Sequence, residues 1–147
     1  MLKKIDPQDG ESFLKYLLDT DTCVYFLNGD ERIRRKIRGI GIYSISVCNA
    51  TLGELYFGAY CSKRVEENIK RIQTLGKNLM VLSDSQESSE MFGKFKAELK
   101  SKGKMIEDFD LLIASIAQAN NCILVTNNLS HFSRIEGLLV ENWLEAE

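Results

Sequence analysis

Three acidic residues lie beside apolar segments that are far apart in the sequence. Asp19 ends one apolar run, and Asp110 opens another. Glu54 follows the apolar stretch 42–45. A carboxylate placed against apolar neighbours is costly unless it is paired or bound to a cation. The three together predict a pocket that gathers negative charge for a divalent metal. Mg²⁺ prefers oxygen ligands, and it can activate water beside a phosphoryl group, so the pattern points to phosphodiester chemistry.

Short apolar runs alternate with helical patterns along the chain, which predicts βαβ units and a parallel sheet covered on both faces. The predicted strands are 15–18, 42–45, 79–82, 122–125 and 138–140. The predicted helices are 20–27, 31–38, 46–60, 63–75, one from 83 or 84 to 102, and one from 107 or 108 to 119. We therefore expect an α/β fold, a three-layer α/β/α sandwich with about five short strands. Residues 1–14 are predicted to form a polar N-terminal extension and residues 15–147 a single domain.

The predicted elements bring the three acids toward one crevice. Ligands of open α/β sheets bind outside the carboxyl ends of the strands, where Asp19 ends the first strand. Glu54 lies on a helix that Ser46 is expected to cap, with its side chain able to lean back along the helix. Asp110 lies in a first helical turn, where the helix dipole favours the ionised form. Taken singly, Asp110 could equally be a helix cap and Glu54 a solvated residue.

Composition limits the class of protein. The 147 residues suffice for one domain with a real core. The net charge of −2 argues mildly against broad, non-specific binding of nucleic acid. Four dispersed cysteines and a single histidine make a zinc site improbable and favour reduced thiols in a cytoplasmic protein. We find neither the ~18 consecutive apolar residues of a membrane span nor a secretion signal.

Several stretches together resemble one known family. They are 17–24, 45–46, 52–59, 109–114, 124–128, 131–138 and 141–143. In order and spacing they are similar to PIN-domain ribonucleases, specifically the VapC-type toxins of prokaryotic toxin–antitoxin pairs, and most of all to the branch that cuts initiator tRNA. The resemblance implies a homodimer that depends on Mg²⁺ or Mn²⁺ and cleaves structured RNA such as tRNA. It also implies inhibition by a cognate VapB-like antitoxin protein.

The resemblance also implies roles for single residues. Asp19, Glu54 and Asp110 match the metal-binding acids of the family. Thr126 matches a hydroxyl residue beside the site, and Asn128 matches a polar position near it.

One position departs from the family pattern. Many relatives have an acid where this chain has His131, and some have one at the position of Asn128. The fourth carboxylate is therefore missing, or Asp108 or Asp21 supplies it. His131 could be a nitrogen ligand or a proton-transfer group, which would favour Mn²⁺. The alternative is a solvated loop histidine.

A basic segment follows the first predicted helix. Its charged members are Arg32, Arg34, Arg35, Lys36 and Arg38. They could hold RNA phosphates or meet an acidic segment of the antitoxin. They could also form a solvated helix face, with Ile33 and Ile37 packed inward.

Two other functions compete with the nuclease. The run Asp19-Thr20-Asp21-Thr22 also resembles the nucleophile motif of haloacid-dehalogenase-type phosphatases. That family needs a later G-D-x-x-x-D element, which we do not find. The second alternative is a degenerate PIN-like module that binds RNA or a partner without catalysis, because the fourth acid is in question.

Overall fold

The computed structural model describes residues 14–145, and the strands in this range form one parallel sheet. The strands are β1 (Lys15–Leu18), β2 (Ile45–Cys48), β3 (Met80–Leu82), β4 (Cys122–Val125) and β5 (Val140–Glu141). Their order across the sheet is β3-β2-β1-β4-β5, and every pairing is parallel. The predicted N-terminal extension, apart from Leu14, lies outside the described residues.

Helices cover both faces of the sheet. They are α1 (Thr20–Leu27), α2 (Glu31–Ile40), α3 (Asn49–Tyr60), α4 (Val65–Asn78), α5 (Gln86–Ser101), α6 (Asp108–Ala119) and α7 (Leu129–Phe132). Side chains alternate between the faces along each strand. Leu17 and Leu124 belong to the core beneath α5 and α6, whereas Leu18 and Val125 belong to the core beneath α1 to α4. The predicted α/β/α sandwich is thereby confirmed.

The strand order creates a crevice at the carboxyl ends of the inner strands β1 and β4. From β1 the chain builds outward through β2 and β3, and then crosses back to β4 on the other side of β1. The carboxyl ends of β1 and β4 therefore flank the point where the strand order reverses. Ligands of open α/β folds bind at this point. Among residues 14–145, no helix is long and apolar enough to cross a membrane.

The second strand lies three residues later than predicted. Residues 42–44 form a short 3₁₀ turn, and the strand is Ile45–Cys48. Ser46, the predicted helix cap, is buried within this strand and pairs in register with Leu17. A residue committed to the ladder cannot cap a helix, so α3 begins at Asn49 instead.

Several helix boundaries and the start of the last strand also differ from prediction. Gly76 was predicted to stop α4, but the helix continues to Asn78. A Cβ atom at Gly76 would lie 3.8 Å from Leu52, so this glycine lies where α4 passes close to α3. The last strand begins at Val140 rather than at Leu138, because the N–H of Leu138 donates to the carbonyl of Ile135 at 3.4 Å in the preceding turn. The short helix α7 was not predicted.

Candidate active site

Asp19 stands at the carboxyl end of β1 and begins helix α1. Leu18 pairs with Val125 of β4, and the backbone N–H of Asp19 donates to the carbonyl of Val125 at 3.0 Å. The Asp19 carboxylate caps α1 by accepting from the N–H of Thr22 at 2.9 Å. Its side chain is only 6% exposed. One residue thus serves as helix cap and as a buried anionic group in the crevice.

A hydrogen-bonded chain fixes the Asp19 carboxylate from the β4 side. The fully buried Thr126 hydrogen bonds to Asp19 through its side chain, and its Oγ1 accepts from the N–H of Asn128 at 2.9 Å. Burial raises the pKa of Asp19 above its ordinary value, hydrogen bonds from Thr126 and Thr22 lower it, and the charge of Asp21 raises it. The protein therefore holds a carboxylate where ionisation is unfavourable without a cation.

Glu54 approaches the same crevice from α3. It lies in the second turn of that helix, which starts directly after β2. Burial raises the pKa of Glu54, and the negative charges of Asp110, Asp21 and Glu107 raise it further. Its carboxylate is therefore within Coulombic reach of acids from two other helices.

Asp110 lies in the first turn of α6 and faces the loop after β4. Its Oδ2 lies 3.8 Å from Nδ1 of His131. Burial raises the pKa of Asp110, Glu107 raises it further, His131 lowers it, and Asp21 raises it. Nδ2 of Asn128 lies 2.8 Å from the same His131 nitrogen. His131 is thus beside Asp110, and Asn128 is linked to it through the imidazole.

The candidates for a fourth acid occupy different places. Asp108 points toward α5, where Lys96 pairs with it at 3.0 Å. Asp21 is exposed on α1 and contributes negative charge near Asp19, Glu54 and Asp110.

Glu107 was not selected from the sequence as a site residue. It is the N-cap residue of α6, and its charge acts on both Glu54 and Asp110. The sequence predicts that this helix begins at 107 or 108. Only the orientation of the first turn distinguishes Glu107, which faces the acids, from Asp108, which faces Lys96.

The acids form an open cluster rather than a closed ligand shell. Among residues 14–145, no three His, Cys, Asp or Glu side chains lie close enough to one another to hold an ion by themselves. Negative charges nevertheless raise the pKa values of these carboxyls, since Asp21 acts on Asp19, Glu54 and Asp110, and Asp110 acts on Glu54, as expected for carboxylates that repel without a cation. Mg²⁺ usually keeps several waters and takes only one or two protein carboxylates. This donor set therefore fits a hydrated divalent ion.

Helix α2 divides the basic segment between two clefts. Arg34 and Arg38 line an apolar groove against α1 and α4. Arg35 and Lys36 line a separate cleft beside Trp143.

Arg32 also borders that second cleft, but its side chain is already engaged. It is paired with Asp30 at 2.6 Å and donates to the carbonyl of Leu144 at 2.7 Å. The pair holds the pKa of Asp30 at about 2, chiefly through the hydrogen bond from Arg32.

Comparison with known proteins agrees with this geometry. Residues 16–138 match the PIN domain family. Ribonuclease VapC2 of Rickettsia felis is 37% identical over 135 residues, which cover 87% of this chain and 97% of the relative. The tRNA(fMet)-specific endonuclease VapC of Salmonella typhimurium is 34% identical over 131 residues, covering 88% of this chain and 98% of the relative.

Solved structures give the same assignment. A chain of the DNA-bound VapBC crystal structure from Salmonella typhimurium has a TM-score of 0.84 and 32% identity, covering 89% of this chain and 99% of that one. The corresponding VapBC2 structure from Rickettsia felis gives a TM-score of 0.83 at 34% identity, with 88% and 99% covered. The chain belongs to the PIN-domain family and, within it, to the VapC ribonucleases. The predicted resemblance is confirmed.

Proposed function

We propose that this protein is a divalent-metal-dependent endoribonuclease and the toxin of a VapBC-type toxin–antitoxin pair. The observation that carries the proposal is the buried Asp19 carboxylate, held between α1 and β4 where the strand order reverses. Glu54 and Asp110 lie on two further helices, and the charge of Asp21 acts on all three carboxyls. Such a constellation is poorly explained by stability, because it sets a buried carboxylate among further acids of the same charge.

The chain's own residues would bind and orient the reacting groups. Asp19, Glu54 and Asp110 would hold the Mg²⁺ or Mn²⁺ ion, with Thr126 fixing the position of the Asp19 carboxylate. Bound there, the ion would supply Lewis-acid activation of the scissile phosphate and of a water. Asp21 and Glu107 would add negative charge around the ligands.

The substrate class follows from the relatives rather than from the acids. One relative carries the name of a tRNA(fMet)-specific endonuclease. We therefore expect structured RNA, and tRNA first, as the substrate, and we expect the protein to act in the cytoplasm where tRNA is found. The phosphatase alternative loses its basis, because the PIN match spans 123 residues that include all three acids.

The antitoxin fits the groove that Arg34 and Arg38 border. Its volume is about 520 Å³. Its apolar lining is Phe26, Leu27, Ile37, Ile42, Leu75 and Leu79, and its cationic side chains are Arg34, Arg38, Lys70 and Arg71. An amphipathic segment with an acidic edge would bury its apolar face there and meet the cations at the rim. We assign this groove to the VapB-like antitoxin.

A homodimer would cover aromatic side chains on the outer face of α3. Phe57 is 71% exposed and Tyr60 is 68% exposed, so neither packs in the core of the protomer. Large exposed aromatics next to a functional site are typical of interfaces. Phe57→Glu is expected to shift the molar mass measured by light scattering from dimer to monomer, and a dimeric variant would contradict this interface.

The function is tested with purified protein free of antitoxin. Total tRNA and, in a separate reaction, total RNA are incubated with Mg²⁺, Mn²⁺ or EDTA, and the new RNA ends are mapped by sequencing. A discrete, metal-dependent cut would support the proposal and identify the RNA. Intact tRNA and intact total RNA under every metal would favour the degenerate binding module instead.

A further inference from the structure

A second, smaller cavity opens directly beside Glu54, between α1, α3 and α4. Its volume is about 240 Å³. The apolar walls include Val24, Leu55 and Ile72, and Thr20 and Glu54 line it as well. Thr20 follows Asp19 in the chain, and its hydroxyl donates to Thr51 at 3.3 Å. The cavity therefore shares its inner end with the acid cluster.

Polar groups inside this cavity are held in fixed positions. Nη1 of Arg71 donates to Oδ1 of Asn68 at 3.1 Å. Nη2 donates to the carbonyl of Leu27 and, in a separate contact of 3.4 Å, to Oδ1 of Asn28. Nδ2 of Asn68 donates in turn to Oγ of Ser62 at 2.9 Å. The guanidinium and two amides are thus ordered before any ligand arrives, which lowers the entropic cost of binding.

The size and charge of the cavity restrict its ligand. Drug-sized ligands occupy pockets of about 300–1,000 Å³, so this cavity suits a single flat ring system. The negative charge of Glu54 opposes a phosphate or an acidic side chain at its end of the cavity, and the Arg71 guanidinium is already engaged by carbonyl and amide oxygens. The apolar walls favour a neutral group. Unstacked RNA bases are recognised by stacking on guanidinium planes and by hydrogen bonds to their edges. Arg71, Asn28 and Asn68 offer these contacts.

We propose that this cavity receives one unstacked base of the RNA substrate, next to the phosphate that is cleaved, and so selects the cleavage position. The inference rests on the proposed ribonuclease function and extends it to substrate recognition. Glu54 is the link, because it lines the cavity and belongs to the acid cluster. A base seated here would bring its own backbone phosphate toward the acids and cost little distortion of a loop that is already single-stranded.

Gly58 provides a direct way to fill the cavity. It lines the wall formed by α3, and a Cβ atom added there would meet no heavy atom within 4 Å. Leucine forms helix better than glycine, so Gly58→Leu is expected to fold normally while its side chain occupies the space of the base. Gly93→Leu is the matched control, since Gly93 lies within α5 and also has open space at its Cβ position.

The experiment compares both variants on an RNA hairpin that the wild-type protein cleaves, with intact or abasic nucleotides beside the cut. We expect Gly58→Leu to lower kcat/KM on intact RNA by about ten- to hundredfold, and Gly93→Leu to leave it unchanged. At one position, an abasic nucleotide should lower the kcat/KM of the wild-type protein by a similar factor. The same abasic RNA should not lower the kcat/KM of Gly58→Leu any further, because the substitution and the missing base remove the same contact.

Each other outcome overturns the inference. If Gly58→Leu cleaves intact RNA as well as wild type does, the cavity does not hold a base. The same conclusion follows if the decrease in kcat/KM caused by Gly58→Leu adds fully to the decrease caused by an abasic nucleotide at every position tested. If Gly58→Leu instead weakens only the antitoxin complex, the cavity belongs to that partner. Absence of cleavage by the wild-type protein on any RNA would remove the proposed function itself, which distinguishes the two failures.

Discussion

Nδ1 of His131 lies 3.8 Å from Oδ2 of Asp110, so this partly exposed histidine borders the acid cluster. Nδ2 of Asn128 donates to the same ring nitrogen at 2.8 Å. In the neutral imidazole Nδ1 is then the acceptor and Nε2 carries the hydrogen. The residue that replaces an acid of many relatives thus keeps contact with a metal-binding candidate.

Removing this imidazole tests whether it serves the metal. If His131 is a ligand or orients Asp110, His131→Ala should weaken Mn²⁺ binding by about ten- to hundredfold. His131→Asp adds an oxygen donor and should shift the preference toward Mg²⁺. Thermal unfolding during titration with each metal measures the affinities, and cleavage assays follow the activity. If metal preference and activity are unchanged in His131→Ala, His131 is an ordinary surface residue of α7.

The acid cluster should make the metal-free protein less stable as the pH rises. Burial raises the pKa of Asp19 and Asp110 above 3.8 and that of Glu54 above 4.5. Between the unfolded and the raised folded pKa values, the native state binds more protons than the unfolded state. The free energy of unfolding therefore falls as the pH rises through this window, and these carboxyls stabilise the fold most at low pH.

Glu54→Gln removes one contribution to this decrease in the free energy of unfolding with rising pH. Urea unfolding in EDTA, at a series of pH values from about 4 to 7, measures this effect. The free energy of unfolding of Glu54→Gln should rise relative to that of wild type as the pH rises. Glu136→Gln, at an exposed position after α7, controls for the loss of one negative charge. A difference between Glu54→Gln and wild type that stays constant with pH would contradict a raised pKa at Glu54.

The two faces of helix α2 should serve different partners. Arg34 lines the groove assigned to the antitoxin, whereas Arg35, the next residue, lines the other cleft. Arg34→Glu should therefore weaken the antitoxin complex by about tenfold or more, because it sets like charges against each other, and Arg35→Glu should not. Isothermal titration with the purified antitoxin measures both. Equal effects would contradict this assignment.

RNA binding by the same two variants tests the other reading of the basic segment. Phosphate contacts make binding steeply dependent on salt. If either variant weakens RNA binding and flattens its salt dependence, that arginine contacts the RNA backbone. Unchanged binding would leave the segment to the antitoxin and to solubility.

Most of the fold was accessible from the sequence because its strands are short, apolar and bounded by clear turn residues. β1, α1, α6 and β4 have the predicted limits, and their inward-facing residues are fully buried. The error at β2 has a local cause: Ser46 and Cys48 are polar or small and look like a helix start. Both are buried in the strand by its neighbours on either side, and that tertiary context cannot be read from local pattern.

The candidate site could be predicted only in part. Asp19 at a strand end and Asp110 in a helical turn follow from local pattern. The cap formed by Asp19, its support by Thr126 and the role of Glu107 rather than Asp108 depend on how β1, β4 and α6 are oriented relative to one another. The second cavity beside Glu54 is formed by residues of α1, α3 and α4 together, so no pattern within a single segment predicts it.

The most direct test of the central claim is the cleavage rate of two matched variants. Asp19→Asn keeps an oxygen that can accept from the N–H of Thr22 and so preserves the helix cap, but it removes the buried charge. Asp108→Asn also removes one negative charge, but Asp108 lies at the N-terminal end of α6 and pairs with Lys96. With tRNA and Mn²⁺, Asp19→Asn should lose cleavage by at least about hundredfold, while Asp108→Asn stays close to wild type. Retained, metal-dependent cleavage by Asp19→Asn would contradict an active site built on Asp19.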